Sequence, residues 1–446
     1  MGALLALVMT PIIPQARAVA ACLGLLSFVM CHADDGLKFS FGGQNPPAGF
    51  VQITPANVYA AGSQHGFLDA TGVKSSPGSC SSDKPFYFTV NVPEGDYDVK
   101  LTLGGDSAPS ATTVKAEGRR LVLENVKAGA GETMTKTFTV NVRTSDLKNG
   151  GSVHLKKDET GSREWDNQLT LEFNGPHPAV SQLEITPASH AITLFIAADS
   201  TVTDQRAEPW AGWGQLLPRF FKQGVAVANN AESGETLKSF ESEKRYDKVM
   251  ETIQPGDYLF IQFTHNDQKP GGGHLDAMTT FPEELKKYIA AARAHGAHPV
   301  LVTSMERRRF DAGGKIVNTL EQYPDAERNL AKEENIPLID LTEMSTKLFE
   351  AMGPQGTLHA FVHFPVNTFP GQAKELKDDT HFTNYGACEL AKCVVEGIKA
   401  NIPELAKYLV DDVPAFDPSH PDSFDTFDVP MSPSSSVEEP AHVGRQ

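Results

Sequence analysis

The chain has 446 residues, 40% of them hydrophobic and 21% charged, with a formal net charge of −17. That is the make-up of an ordinary globular protein, too long for one hydrophobic core, so two domains are expected. The charge excludes a protein that wraps nucleic acid or docks on anionic lipid, and an acidic polymer would need a local basic patch to bind.

The first 33 residues read as a cleavable leader. Arg17 precedes the apolar run "AVAACLGLLSFVM", and "CHA" stands before "DDG". A charged start, an apolar segment of this length and small residues at the cleavage position fit a secretory signal. The run is short for a membrane span. Residues 1–33 are therefore expected to be a signal peptide, and the mature protein to be secreted or periplasmic, with no membrane attachment after cleavage. Cys22 and Cys31 would leave with the leader. Cys80, Cys388 and Cys393 remain, an odd number that makes no disulfide framework.

From 34 to 180 the texture is all-β. Short alternating runs, "KFSF", "FYFTVNV", "YDVKLTL", "RRLVLENV", "TKTFTVNV", "VHLKK" and "QLTLEF", are broken by Gly, Pro, Asn and Asp. Period-two alternation at this spacing predicts a β-sandwich, with a hairpin turn at "VPEGDY". The aromatics Tyr59, Phe67 and Trp165 are candidates either for stacking on sugar rings or for the core.

From 190 to 410 apolar strands alternate with helical stretches. "ITLFIAAD", "GVAVANNA", "DYLFIQFTHN", "HPVLVTSM" and "IPLIDL" are five strands; "GWGQLLPRFF", "LKSFESEKRYDKVMETI", "FPEELKKYIAAARAHG" and "YPDAERNLAKEE" have helical spacing. This predicts a parallel five-stranded sheet covered on both faces, an α/β/α domain. Residues 412–446, rich in Pro, Ser and acids, are expected to be disordered.

In such a sheet, chemistry gathers beyond the carboxyl ends of the strands. Asp199 and Ser200 follow the first strand there, Asn229 to Gly234 the second, "THND" the third and "ERRRF" the fourth, while "KDDTHF" places Asp378 and His381 in a loop before the last helix. Serine needs a base to become a nucleophile, and histidine suits that role near neutral pH. Asp378 can orient His381. The Ser200 and Gly234 backbone N–H groups and the Asn266 amide can serve an oxyanion. Asp199 and His265 would support the site, His265 by holding the Asn266 loop. No metal-ligand spacing such as CxxC or HExxH occurs, so no metal or organic cofactor is expected.

Together "ADSTV", "NNAESGETLKSF", "FIQFTHNDQK" and "DDTHFTNYGA" resemble the four blocks of the SGNH (GDSL-like) hydrolases. The likeness is nearest to the rhamnogalacturonan acetylesterase branch, with blocks like G-D-S-T-V, N-x-A-x-x-G-R-S, G-H-N-D and D-G-T-H-F. The resemblance covers roughly residues 190–410. It implies a flavodoxin-like fold with Ser200 as nucleophile, His381 as base, Asp378 as its orienting acid, and Gly234 and Asn266 in the oxyanion hole. Ala198 and Thr264 stand where the family has Gly, and Glu235 replaces an Arg, which leaves the exact ester open. The first domain looks like the galactose-binding-like, carbohydrate-binding-like sandwich that precedes such esterase domains.

Pectin, a plant cell-wall polysaccharide, carries galacturonate carboxylates, which planar guanidinium groups suit. Arg307, Arg308 and Arg309 are therefore substrate-binding candidates or a solvated charge run, and Trp213 a sugar platform or helix core. The expected function is a secreted, monomeric carbohydrate esterase that removes acetyl groups from pectin, foremost rhamnogalacturonan. The alternatives are an acetylxylan or other acyl-ester hydrolase, or a polysaccharide-binding protein with a degenerate hydrolase domain.

Overall fold

The computed structural model describes residues 36–433; the expected leader, residues 1–33, lies outside them. Two antiparallel-rich sheets pack face to face in the first part of the chain. One runs, in spatial order, Thr133–Val142, Gly95–Gly104, Ala179–Pro187, Leu37–Phe41, Val51–Ile53, and the other His65–Phe67, Phe86–Asn91, Gln168–His177, Ser110–Ala116, Arg120–Ala128. Alternating side chains such as Phe39, Phe41, Val99, Leu101 and Leu103 meet Phe86, Phe88, Leu171 and Phe173 in one core. Each fully buried Leu, Val or Phe contributes about 1.5–3 kcal/mol.

Three local expectations are corrected. Residues 153–157 form a loop that follows a single bridge at Ser152, not a strand. The "VPEGDY" turn joins strands of different sheets, because Phe86–Asn91 pairs with Gln168–His177 while Gly95–Gly104 pairs with Thr133–Val142 and Ala179–Pro187. The strand Ala179–Pro187 also carries the sandwich past residue 180. As for the aromatics, Phe67 is core. Trp165 is buried, its indole donates to Glu159 (3.0 Å), and Arg143 covers its ring at 4.6 Å. Neither face is offered to a sugar. Tyr59 is half-buried and donates to Asn91 (2.7 Å).

The second part is a parallel sheet in the order Val225–Asn229, Ile192–Ala198, Tyr258–Gln262, His298–Val302, Leu338–Ile339. Its central strands are buried on both faces, as continuous apolar runs require. The chain winds first to one side of Ile192–Ala198 and then to the other, which opens a crevice at the carboxyl end of that strand.

The edge strand Val225–Asn229 meets the sandwich rather than solvent. This explains why Thr133–Val142 is exposed over its first half and buried throughout its second. Polar groups cross the same boundary. Arg120 donates to the Val227 carbonyl (2.9 Å) and pairs with Asp204 (3.3 Å), Gln215 donates to the Gly118 carbonyl (2.6 Å), and Arg119 pairs with Glu208.

The tail is ordered further than composition predicts. Buried Lys115 needs acceptors, and finds them in the Pro430 carbonyl (2.7 Å) and Ser432 hydroxyl (2.8 Å); the Ser432 N–H donates to Glu208 (2.8 Å). Residues 412–433 thus follow the protein surface, and 434–446 lie outside the described residues.

Glu117, at the same boundary, gives a pH test of the fold. Burial, opposed by Arg120 and the Thr170 N–H, pushes its carboxyl from 4.5 up to about 8. The folded protein therefore holds a proton that the unfolded chain releases. The stability so contributed is complete below about pH 4.5, declines as pH rises and is gone above about 8. Glu117→Gln cannot titrate, so the melting temperature of the wild type is expected to fall relative to the variant between those limits. Parallel melting curves against pH would refute the assignment.

Candidate active site

Ser200 ends the strand Ile192–Ala198 in a tight turn. Asp199, fully buried, accepts from the N–H (3.0 Å) and hydroxyl (2.7 Å) of Thr201, and so fixes that turn. Burial pushes the Asp199 carboxyl up, opposed by Thr201 and by the charges of His381 and Arg307. Beneath lies Trp213, wholly buried, whose indole donates to Gln262 (2.9 Å), which in turn donates to the Thr201 hydroxyl (3.0 Å). Trp213 is therefore a support of the nucleophile turn and cannot be a sugar platform.

Asp378 and His381 sit on the strand Leu376–Phe382, paired antiparallel with Phe361–Phe364, and not in a loop. The helix Asn384–Asn401 starts directly after, capped by Thr383. Gly386 lets that helix close on the neighbouring chain, since a Cβ there would lie 2.1 Å from the Ala360 carbonyl oxygen. This packing presents His381 to the serine. Its Nε2 is 2.8 Å from Ser200 Oγ, and its Nδ1 is 2.9 Å from Asp378 Oδ2. Ser200 and His381 remain 6% and 8% exposed, enough for a substrate acyl group to reach them.

Asp378 is held as a carboxylate. Burial acts to raise it, but His381 and the Thr380 and His381 N–H groups (2.9 and 3.0 Å) outweigh that and keep it below the usual range. The Trp210 indole also reaches Oδ2 at 3.4 Å. Sequence reasoning missed Trp210; its only signal was an aromatic shortly after the nucleophile turn.

The oxyanion-hole candidates also converge. Gly234 takes φ of +81°, a conformation that favours glycine. Among the described residues no intramolecular hydrogen bond occupies the Ser200 or Gly234 N–H. Asn266 is clamped: its Nδ2 donates to the Glu235 carbonyl (3.0 Å), and its Oδ1 accepts from Lys269 (3.0 Å), another residue sequence reasoning missed. One Asn266 N–H remains for a ligand. His265 is buried and held neutral, by burial first and then by Arg307, His381 and Lys269.

The three arginines separate. Arg307 donates to the His265 carbonyl (3.4 Å) and Thr319 hydroxyl (3.2 Å) and lies within electrostatic reach of Asp199. Arg308 is committed to the chain itself, to Asp379 (3.1 Å) and the Pro354 carbonyl (2.7 Å), next to the triad acid. Arg309 is exposed.

Glu235, the departure from the family pattern, turns away from the cleft. Its wholly buried carboxylate meets Lys156 (2.5 Å) and the Ser239 hydroxyl (2.6 Å). Nearby, the carboxylates of Glu159, Glu164 and Glu232 cluster within 4.8 Å. Guanidinium groups answer them: Arg206 pairs with Glu232 (3.0 Å) and Glu164 (3.4 Å), and Arg245 with Glu159 (2.5 Å).

Residues 196–387 match the GDSL-like Lipase/Acylhydrolase family. Rhamnogalacturonan acetylesterase RhgT of Bacillus subtilis (strain 168) is 47% identical over 210 residues, 47% of this chain and 90% of that protein. The uncharacterized esterase YxiM of the same organism is 26% identical over 399 residues, 85% of this chain and 94% of its own. The crystal structure of YxiM aligns over 82% of this chain and 98% of that one, at 25% identity and a TM-score of 0.43.

Proposed function

This chain belongs to the GDSL-like lipase/acylhydrolase family and is a serine carboxylic-ester hydrolase, and from that premise we propose that it removes acetyl groups from pectin, foremost from rhamnogalacturonan. The observation that carries the mechanism is the line of hydrogen bonds from Ser200 Oγ through His381 to Asp378, at 2.8 and 2.9 Å. His381 takes the serine proton as Oγ attacks the acetyl carbonyl. Asp378 holds the imidazole and stabilises its positive charge. The Ser200 and Gly234 N–H groups and the Asn266 amide receive the oxyanion, each worth on the order of 3 kcal/mol. The sugar hydroxyl leaves with the proton from His381, and water then releases acetate by the same route.

Substrate class rests on relatives and on charge. The name of RhgT supports rhamnogalacturonan. Arg307 and Lys269 bring positive charge to the cleft of a chain whose net charge is −17, which suits a uronate polymer. The leader-like residues 1–33 support action outside the cytoplasm, and the double-sheet architecture supports a galactose-binding-like sandwich.

The test is acetate release from acetylated rhamnogalacturonan, acetylxylan and an aryl acetate by the full chain. Rhamnogalacturonan is expected to show the highest kcat/KM of the two polymers. Faster turnover of acetylxylan would move the assignment to xylan, and activity on the aryl ester alone would discard both polymers.

A further inference from the structure

The connection between the sandwich strands Thr133–Val142 and Gln168–His177 reaches out of its own domain and lies against the turn that carries Gly234. Lys156 stands at the contact. Its Nζ donates to the Ser233 carbonyl oxygen (2.5 Å) and to Glu235 Oε1 (2.5 Å). Its backbone is anchored too, since the Lys156 N–H donates to Glu159 (2.7 Å), which Arg245 holds at 2.5 Å.

The Ser233 carbonyl and the Gly234 N–H belong to one peptide group. In a trans peptide they point in opposite directions and share one delocalised π system. A cation on the oxygen therefore does two things to the N–H on the other side. It fixes the plane of the peptide, and it draws electron density away from nitrogen, making the N–H a stronger donor. Chains of hydrogen bonds reinforce one another by about 10–30% per bond. The Glu235–Thr236 peptide, two along the chain, plays a parallel part, for the Glu235 carbonyl holds the Asn266 amide (3.0 Å). The Glu235 side chain keeps Lys156 in place while its backbone keeps Asn266 in place.

We propose that Lys156, supplied by the N-terminal sandwich, is a positioning residue of the esterase: it orients and polarises the Ser233–Gly234 peptide so that the Gly234 N–H is preset for the oxyanion. The catalytic apparatus is thus built from both domains. The same geometry accounts for Glu235, whose carboxylate serves as the counter-charge for Lys156 rather than as a contact for substrate. This inference rests on the reading of Gly234 as an oxyanion donor.

The test uses the full chain and an aryl acetate, with Ser200 titrated by a fluorophosphonate so that rates refer to competent sites. An active wild type establishes the esterase reading first; a wild type inert towards every ester would sink that reading, and this inference with it. Lys156→Met is expected to lower kcat per titrated serine at least 10-fold with KM changed less than 2-fold, and Lys156→Arg to recover part of the loss. Lys156→Met strands a buried carboxylate, so Lys156→Met/Glu235→Gln is the deciding variant. It removes both charges, and a deficit in kcat of similar size is expected to persist. If the double variant regains the wild-type kcat, or if Lys156→Met raises KM with kcat intact, Lys156 only closes a charge pair and the proposal falls.

Discussion

Ser200→Ala is expected to lower kcat on an acetyl ester about 10⁶-fold, and Asp378→Asn about 10⁴-fold, with KM little changed in either. The difference follows from what each atom does. Ser200 Oγ forms the bond to the acyl carbon, so its loss leaves only water and the oxyanion donors. Asp378 reacts with nothing. Its Oδ2 faces His381 Nδ1 at 2.9 Å while Oδ1 takes two backbone N–H groups. An amide at 378 can still accept those N–H groups, but it offers an NH₂ to Nδ1 and favours the wrong imidazole tautomer.

The pH profile adds a second reading of the same pair. Asp378 is held below the usual carboxylate range, so its ionised form contributes stability that is present above the unfolded pKa and lost as pH falls through the folded one. Its protonation therefore falls on the acid side of an ordinary carboxylate's. Steady-state kcat of purified variants, with circular dichroism to verify folding, checks both magnitudes. An Asp378→Asn variant within 10-fold of the wild type would remove Asp378 from the triad.

How much of this was legible in the sequence depends on what kind of signal each residue left. Ser200, Asp378, His381, Gly234 and Asn266 could be found because each sits at or near the end of a strongly apolar strand or beside a helix start, where side-chain type is set by chemistry. Lys156 and Lys269 left no such trace: one lies in a loop read as a strand, and the other is one lysine among many. Their roles appear only when the chain is folded, because Lys156 acts on a peptide 77 residues away. Trp213 was legible as an aromatic near the site but not as its floor, since a tryptophan under a turn and one beside a substrate have the same local sequence. The tail beyond 412 illustrates the converse. Its composition is that of a disordered segment, but the deciding group is Lys115, over 300 residues earlier, whose buried ammonium needs the acceptors that Pro430 and Ser432 provide. Composition records what a segment cannot bury by itself, and not what another segment requires of it.

Asn266→Ala is expected to cost about 10²–10³-fold in kcat, or roughly 3–4 kcal/mol of transition-state stabilisation, again with little change in KM. The size follows from how completely the side chain is prearranged. Lys269 holds its oxygen and the Glu235 carbonyl holds one of its hydrogens, both at 3.0 Å, so the amide spends no rotamer entropy and cannot flip when charge develops. The remaining N–H is paired with a strong acceptor only once the carbonyl oxygen becomes an oxyanion, and for that reason its removal lowers kcat rather than raising KM. Lys269 strengthens the effect by polarising the amide from the oxygen side. Asn266→Asp is the sharper version. It keeps the shape and the Lys269 contact, but offers a carboxylate where negative charge must accumulate, and so should be slower than Asn266→Ala. If Asn266→Asp is instead the faster of the two, the side chain acts through its shape and its contact with Lys269, and the oxyanion is served by the backbone alone.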